Sequence, residues 1–165
     1  MIANNQTSVL TPSPTPLEFP KGNKITAIDE NFKQEWQDKY KATVAEMERN
    51  RQLWQESKIL NYDFVCQQFA GGMNGWGEVK IKARENKAVS IEKTEKDSLA
   101  KIDGYENFDT IDKIFDFMRQ KLDEGSLVSV KYNKDLGYPE QIRITYSFNV
   151  DALFGVAVKK IEIIK

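Results

Sequence analysis

Residues 128–148, VSVKYNKDLGYPEQIRITYSF, hold two alternating runs on either side of a turn. Val128, Val130 and Tyr132 interleave with polar residues on the way in. Ile142, Ile144, Tyr146 and Phe148 interleave with Gln141, Arg143, Thr145 and Ser147 on the way out. A period of two with one apolar face predicts a β-hairpin, and the rest of the chain is expected to be arranged around it. In the intervening turn, Gly137 is suited to a positive φ, and Pro139 holds the exit extended.

Elsewhere the spacing changes. From Asp29 to about Ser57, the residues Phe32, Trp36, Tyr40, Val44, Met47 and Trp54 recur at intervals of three, four or seven, which predicts one long amphipathic helix with its apolar stripe on a sheet. Tyr62, Phe64 and Cys66 alternate in a first strand. Val79, Ile81 and Ala83 alternate with Lys80, Lys82 and Arg84, and a turn at Glu85-Asn86-Lys87 leads to Ala88, Val89 and Ile91. Residues 94–107 read as an ordered connection anchored by Leu99, Ile102 and Tyr105. Thr110 is placed as an N-cap for a second helix carrying Ile111, Ile114, Phe115, Met118 and Leu122 and ended by Gly125. Val156, Val158, Ile161 and Ile163 form a last strand whose register shifts midway, as a bulge would shift it. The predicted fold class is α+β: an antiparallel sheet packed by two helices in the order αβββαβββ, without residue-level self-similarity between the halves.

Composition divides the chain. Residues 1–23 hold four of the five prolines among many Ser, Thr and Asn, and read as a disordered tether, which leaves 24–165 as a single domain. In 165 residues of net charge −1, no basic surface for nucleic acid is expected. There is no histidine, which removes the commonest general base and metal ligand, and Cys66 is the one cysteine. No metal site, no cofactor and no catalytic residue is therefore predicted, and Cys66 is expected to be a buried structural thiol. No apolar run is long enough to span a bilayer, and residues 1–20 lack the pattern of a signal peptide.

Three features carry candidate chemistry. Residues 71–77, GGMNGWG, lack the order of a phosphate-binding loop and precede a strand, so Met73 and Trp76 are expected to be exposed for recognition. Tyr138 either clamps the hairpin onto the sheet or offers a ring to a partner. Asp63, Asp135, Glu140 and Asp151 would suffice for glycoside hydrolysis if two of them converged, although turn and surface roles account for them more simply.

Several of these segments together carry a resemblance: Tyr62-x-Phe64-x-Cys66, Val79-x-Ile81, Asn86-Lys87-x-Val89, residues 109–115 (DTIDKIF), Val130-x-Tyr132-Asn133, and Gly137-Tyr138-Pro139-x-x-Ile142. Over about residues 54–164 the chain resembles a bacterial domain-of-unknown-function family, number 6174. The resemblance implies a mostly exported or lipid-anchored protein, with a Thr/Pro-rich tether like residues 6–18 behind an anchor not visible here. It also implies an architecture akin to small inhibitor-like domains with αβ repeats. Members often carry a second cysteine two residues after the first, where this chain has Gln68, so no paired-cysteine role carries over. The expected function is a non-catalytic cell-envelope binding or accessory domain. An inhibitor or immunity protein for a secreted enzyme is the first alternative, and a carboxylate-dependent hydrolase the second.

Overall fold

The computed structural model describes residues 30–71, 77–96, 100–145 and 153–164, apart from the side chains of Glu30 and Phe32. The tether, Met73, Trp76, Leu99, Tyr146, Phe148 and Asp151 lie outside the described residues. Helix α1 spans Glu30–Glu56 and is followed by strands β1 (Tyr62–Ala70), β2 (Glu78–Arg84) and β3 (Lys87–Lys93). Helix α2 (Ile111–Asp123) then leads into β4 (Leu127–Tyr132), β5 (Pro139–Thr145) and β6 (Leu153–Ile163). The fold is α+β. It differs from the plain predicted order by a short 3-10 turn, Ile102–Tyr105, inserted before α2.

All six strands are antiparallel, in the order β3-β2-β1-β6-β5-β4. Two meanders are thus joined by the pairing of β1 with β6, and the segment containing α2 carries the chain from one edge of the sheet to the other. The β4–β5 hairpin is consequently an edge feature, not the centre expected from its regular pattern. The centre is β1, whose Tyr62, Phe64 and Cys66 are all buried.

One face of the sheet carries the core. Val79, Ile81, Ala83, Val128, Ile142, Ile144, Val156 and Val158 lie on it, under Ile111, Ile114, Phe115 and Met118 of α2. Taking each large apolar side chain out of water contributes roughly 1.5–3 kcal/mol. Helix α1 packs on α2 and along β4 more than flat on the sheet, and its burial deepens toward its end, at Met47 and Trp54.

Tyr62 connects these layers. Its ring meets Trp54 edge-on, with centroids 5.3 Å apart. Its hydroxyl accepts a hydrogen bond from the Ile111 amide at 3.0 Å and donates to Asn86 Oδ1 at 3.1 Å. The Asn86 side-chain amide in turn donates to the Asp112 carboxylate. A β-turn, the central strand and an otherwise orphaned amide in the first turn of α2 are thereby tied together. Thr110 caps the same helix by accepting from the Lys113 amide, as its sequence position predicts.

Local register accounts for two departures from the expected core. Lys82 pairs with Ser90 and Ala83 with Ala88, so Val89 is squeezed out of the ladder and is 61% exposed. Ile102, an expected anchor, is 38% exposed, while Tyr105 in the same turn is buried. Tyr105 accepts from the Gln68 amide and donates to the Gly77 carbonyl, standing in where β2 no longer reaches β1. The predicted shift in the last strand is present: Val65 pairs with Lys160 and Cys66 with Val158, leaving Lys159 as the extra residue.

Candidate functional site

Of the sequence-predicted site residues, Met73 and Trp76 lie outside the described residues, so the recognition loop is not part of the geometry below. Tyr138 is half-buried. Its ring stands edge-on to Trp54, with centroids 6.2 Å apart, and its hydroxyl accepts from the Asn133 side-chain amide at 3.4 Å. The adjacent Gly137 has φ +75° and lies against the Asn50 carbonyl of α1. The turn is thus pressed onto α1, whereas the expected clamp was onto the sheet.

The carboxylates are held separately. Asp63 projects from the helix-free face of β1 and pairs with Arg84 at 2.9 Å and Lys80 at 3.2 Å. Burial works to raise its pKa, but the hydrogen bonds from Arg84 and Lys80 outweigh burial and hold the carboxyl below its ordinary value. Glu140, in the β4–β5 hairpin, pairs with Lys131 at 2.8 Å and accepts from Asn133, and it too is held below the usual range, chiefly by Lys131. A general acid needs the opposite shift. Asp135 lies in an exposed turn that Asn133 closes by accepting the amides of Asp135 and Leu136. Among the described residues, no three His, Cys, Asp or Glu side chains gather as metal ligands.

What the fold does create is an open strand edge. The sheet ends at β3 on one side and β4 on the other, and the two ends are finished differently. Strand β3 carries Lys87 and Lys93 and is bulged at Val89, devices that discourage further pairing. Strand β4, LVSVKY, has one charge, at Lys131, and its ladder to β5 is regular from Leu127 to Lys131. Among the described residues no strand pairs with its outer side.

Helix α1 runs alongside this edge in the same direction as β4. Lys39, Tyr40 and Thr43 lie by Leu127 and Val128, Glu46 lies by Tyr132, and Asn50 and Leu53 meet the hairpin turn at Gly137. Between helix and strand is a groove of about 500 Å³. Val128, Val130 and Tyr132 from the core face and Ser129, Arg143 and Thr145 from the opposite face all line it, so it wraps around the edge. The Tyr132 ring stacks on Phe115, with centroids 6.4 Å apart, and its buried hydroxyl has no hydrogen-bond partner. Burial, then the negative charges of Glu46 and Glu48, push the Tyr132 pKa upward, so the phenol stays neutral. The groove thus offers the outer backbone donors and acceptors of β4 and a mixed apolar and polar lining that includes Lys39, Glu46 and Arg143. A second hollow of about 630 Å³, between Gln68, Lys93 and the 3-10 turn, is more apolar in its lining. Its amide, Gln68 Nε2, already donates to the Gly104 carbonyl.

The family model described as a family of unknown function (DUF6174) matches residues 46–163, well over half of the chain. The chain belongs to this family. The DUF6174 match takes in α1 from Glu46, all six strands and α2, and therefore the strand wall of the groove and Glu46 of its helix wall, but not Lys39 or Thr43. No curated protein and no solved structure matches the chain. Nothing in the sequence marked β4 as an edge beyond the scarcity of charge in LVSVKY.

Proposed function

We propose that this DUF6174 chain is a non-catalytic binding domain of the bacterial cell envelope that receives an extended polypeptide on the outer edge of β4, beside α1. The observation that carries the reading is a nearly charge-free edge, unpaired among the described residues, that opens into a groove. Strand addition supplies main-chain hydrogen bonds for affinity, and the groove walls select side chains at alternate positions. The envelope setting is supported by the family resemblance and the Thr/Pro-rich residues 6–18. The non-catalytic reading is supported by the separate ion pairs that hold Asp63 and Glu140 on different strands.

Two measurements test the proposal. Synthetic extended peptides with alternating Val and Thr, titrated into the labelled full chain, should shift amide resonances of residues 127–132 and 39–46. Shifts confined to β3 overturn the site, as does the absence of any shift across the panel in a chain that stays monomeric. Expressed from its native gene, the protein should fractionate with the envelope, and recovery in the cytosol overturns that setting. An inhibitor or immunity protein is the form this binding would take if the docked segment belonged to a secreted enzyme, and a stoichiometric complex with such an enzyme would identify it.

A further inference from the structure

The outer edge of β4 and the wall of α1 beside it are self-complementary. We propose that the segment received there is β4 of a second copy, giving a two-fold dimer with one continuous sheet. The inference rests on reading the β4 edge as the binding surface.

Its first support is the pairing that β4 permits. Two copies related by a two-fold axis perpendicular to the sheet at Ser129 place Ser129 opposite the partner's Ser129 and Val128 opposite the partner's Val130. Directly opposed residues in an antiparallel pair lie on the same face of the sheet. Apolar Val128 and Val130 therefore extend one core face, and the helices of both copies fall on that side. Leu127 comes opposite the partner's Lys131, whose charge is already balanced by Glu140 within its own chain.

The second support is the charge pattern of α1. Because α1 runs parallel to β4, antiparallel pairing of the strands makes the two α1 helices antiparallel as well. Lys39 and Glu46 both line the groove, both are exposed, and neither forms an ion pair with a described residue of its own chain. They stand seven residues apart, about 10 Å along the helix, with Thr43 between them on the same wall. The two-fold that pairs the strands brings Lys39 toward the partner's Glu46 and Glu46 toward the partner's Lys39. This is the reciprocal contact that a symmetric interface requires. The other edge has no such arrangement, because the bulge at Val89 interrupts it.

Light scattering of the full chain across a concentration series should show a dimer. Lys39→Glu and Glu46→Lys should each weaken it about tenfold through like-charge contacts, and the double exchange Lys39→Glu/Glu46→Lys should restore it. Both positions are exposed, so folding is not at stake. Ser129→Cys should cross-link under mild oxidation, with the buried Cys66 not competing. A monomer throughout the series, or single exchanges without effect together with no cross-link, overturns the dimer. A monomer whose β4 amides resist hydrogen exchange would mean that a segment of its own chain covers the edge. A monomer whose β4 resonances respond to added extended peptides would overturn the dimer while leaving the proposed function standing, and silence in both experiments removes both.

Discussion

Gly137 sits where a turn meets a helix, and the two consequences can be measured separately. Its φ of +75° costs an L-residue about 1–2 kcal/mol, a cost that Asn largely escapes. A Cβ at this position would fall 2.3 Å from the Asn50 carbonyl oxygen and 3.0 Å from Leu53 Cβ. Neither neighbour yields easily, since the carbonyl belongs to the backbone of α1. Any side chain must therefore lift the turn off the helix, an overpacking cost of about 1–3 kcal/mol. Gly137→Ala should lose about 2–5 kcal/mol in total, and Gly137→Asn should still lose about 1–3 kcal/mol. Gly125 supplies the control. It closes α2 with φ +82° and nothing stands within 4 Å of its Cβ position, so Gly125→Asn should cost only a few tenths of a kcal/mol. Equilibrium urea unfolding, with midpoint and slope recorded for each variant, reads these differences directly. If Gly137→Asn proved as mild as Gly125→Asn, the contact with α1 would carry no energy, and Gly137 would be only a turn residue.

Three further outcomes follow from the same geometry. Tyr62→Phe should lower stability by about 1–3 kcal/mol, because it strands the buried Ile111 amide, and that amide should exchange faster with solvent; an unchanged melting temperature would refute the link. Asp63 has a folded pKa below its unfolded value of about 3.8, so its stabilising contribution is present above that value and is lost as the pH falls through the folded pKa. Asp63→Asn should therefore be less stable than the parent at neutral pH, with the difference shrinking as the pH falls below about 3.8, and a constant difference would refute the pairing. Cys66 is fully buried and burial pushes its thiol pKa upward, so a thiol reagent should label the native protein only at the rate of opening, and labelling as fast as a free thiol would place the residue on the wrong face.

Features carried by one strand, one helix or the pairing within a hairpin were legible in the sequence, and features joining distant segments were not. The shift within β6 could be read because Val158 and Ile161 break the alternation, and the structure places Lys159 out of register between them. The bulge at Val89 escaped because Ala88 and Val89 are adjacent apolar residues, and either could have pointed inward. The ends of α2 were legible, since Thr110 and Gly125 carry local signals. The hydroxyl of Tyr62 was not, because its partners lie 24 and 49 residues away. Gly137 shows both cases at one position: its positive φ follows from the turn, but its contact with Asn50 depends on where α1 comes to rest.

The position of the hairpin explains why the candidate site could not be read in advance. Regular alternation makes β4–β5 the most conspicuous stretch of the sequence, yet regularity says nothing about how many neighbours a strand has. That depends on the pairing of β1 with β6, more than 80 residues apart, which seals the middle of the sheet and leaves β4 outermost. Once strand order is known, the same sequence acquires a different meaning. Six residues with a single charge, unremarkable in an interior strand, become an edge without the charges and irregularities that protect β3. Neighbouring Lys39 and Glu46, which on an isolated helix would count as solvated surface, become the two halves of a reciprocal contact. The aromatic loop chosen from composition and the edge chosen from topology are thus independent hypotheses about recognition, and the second follows from the order of the strands.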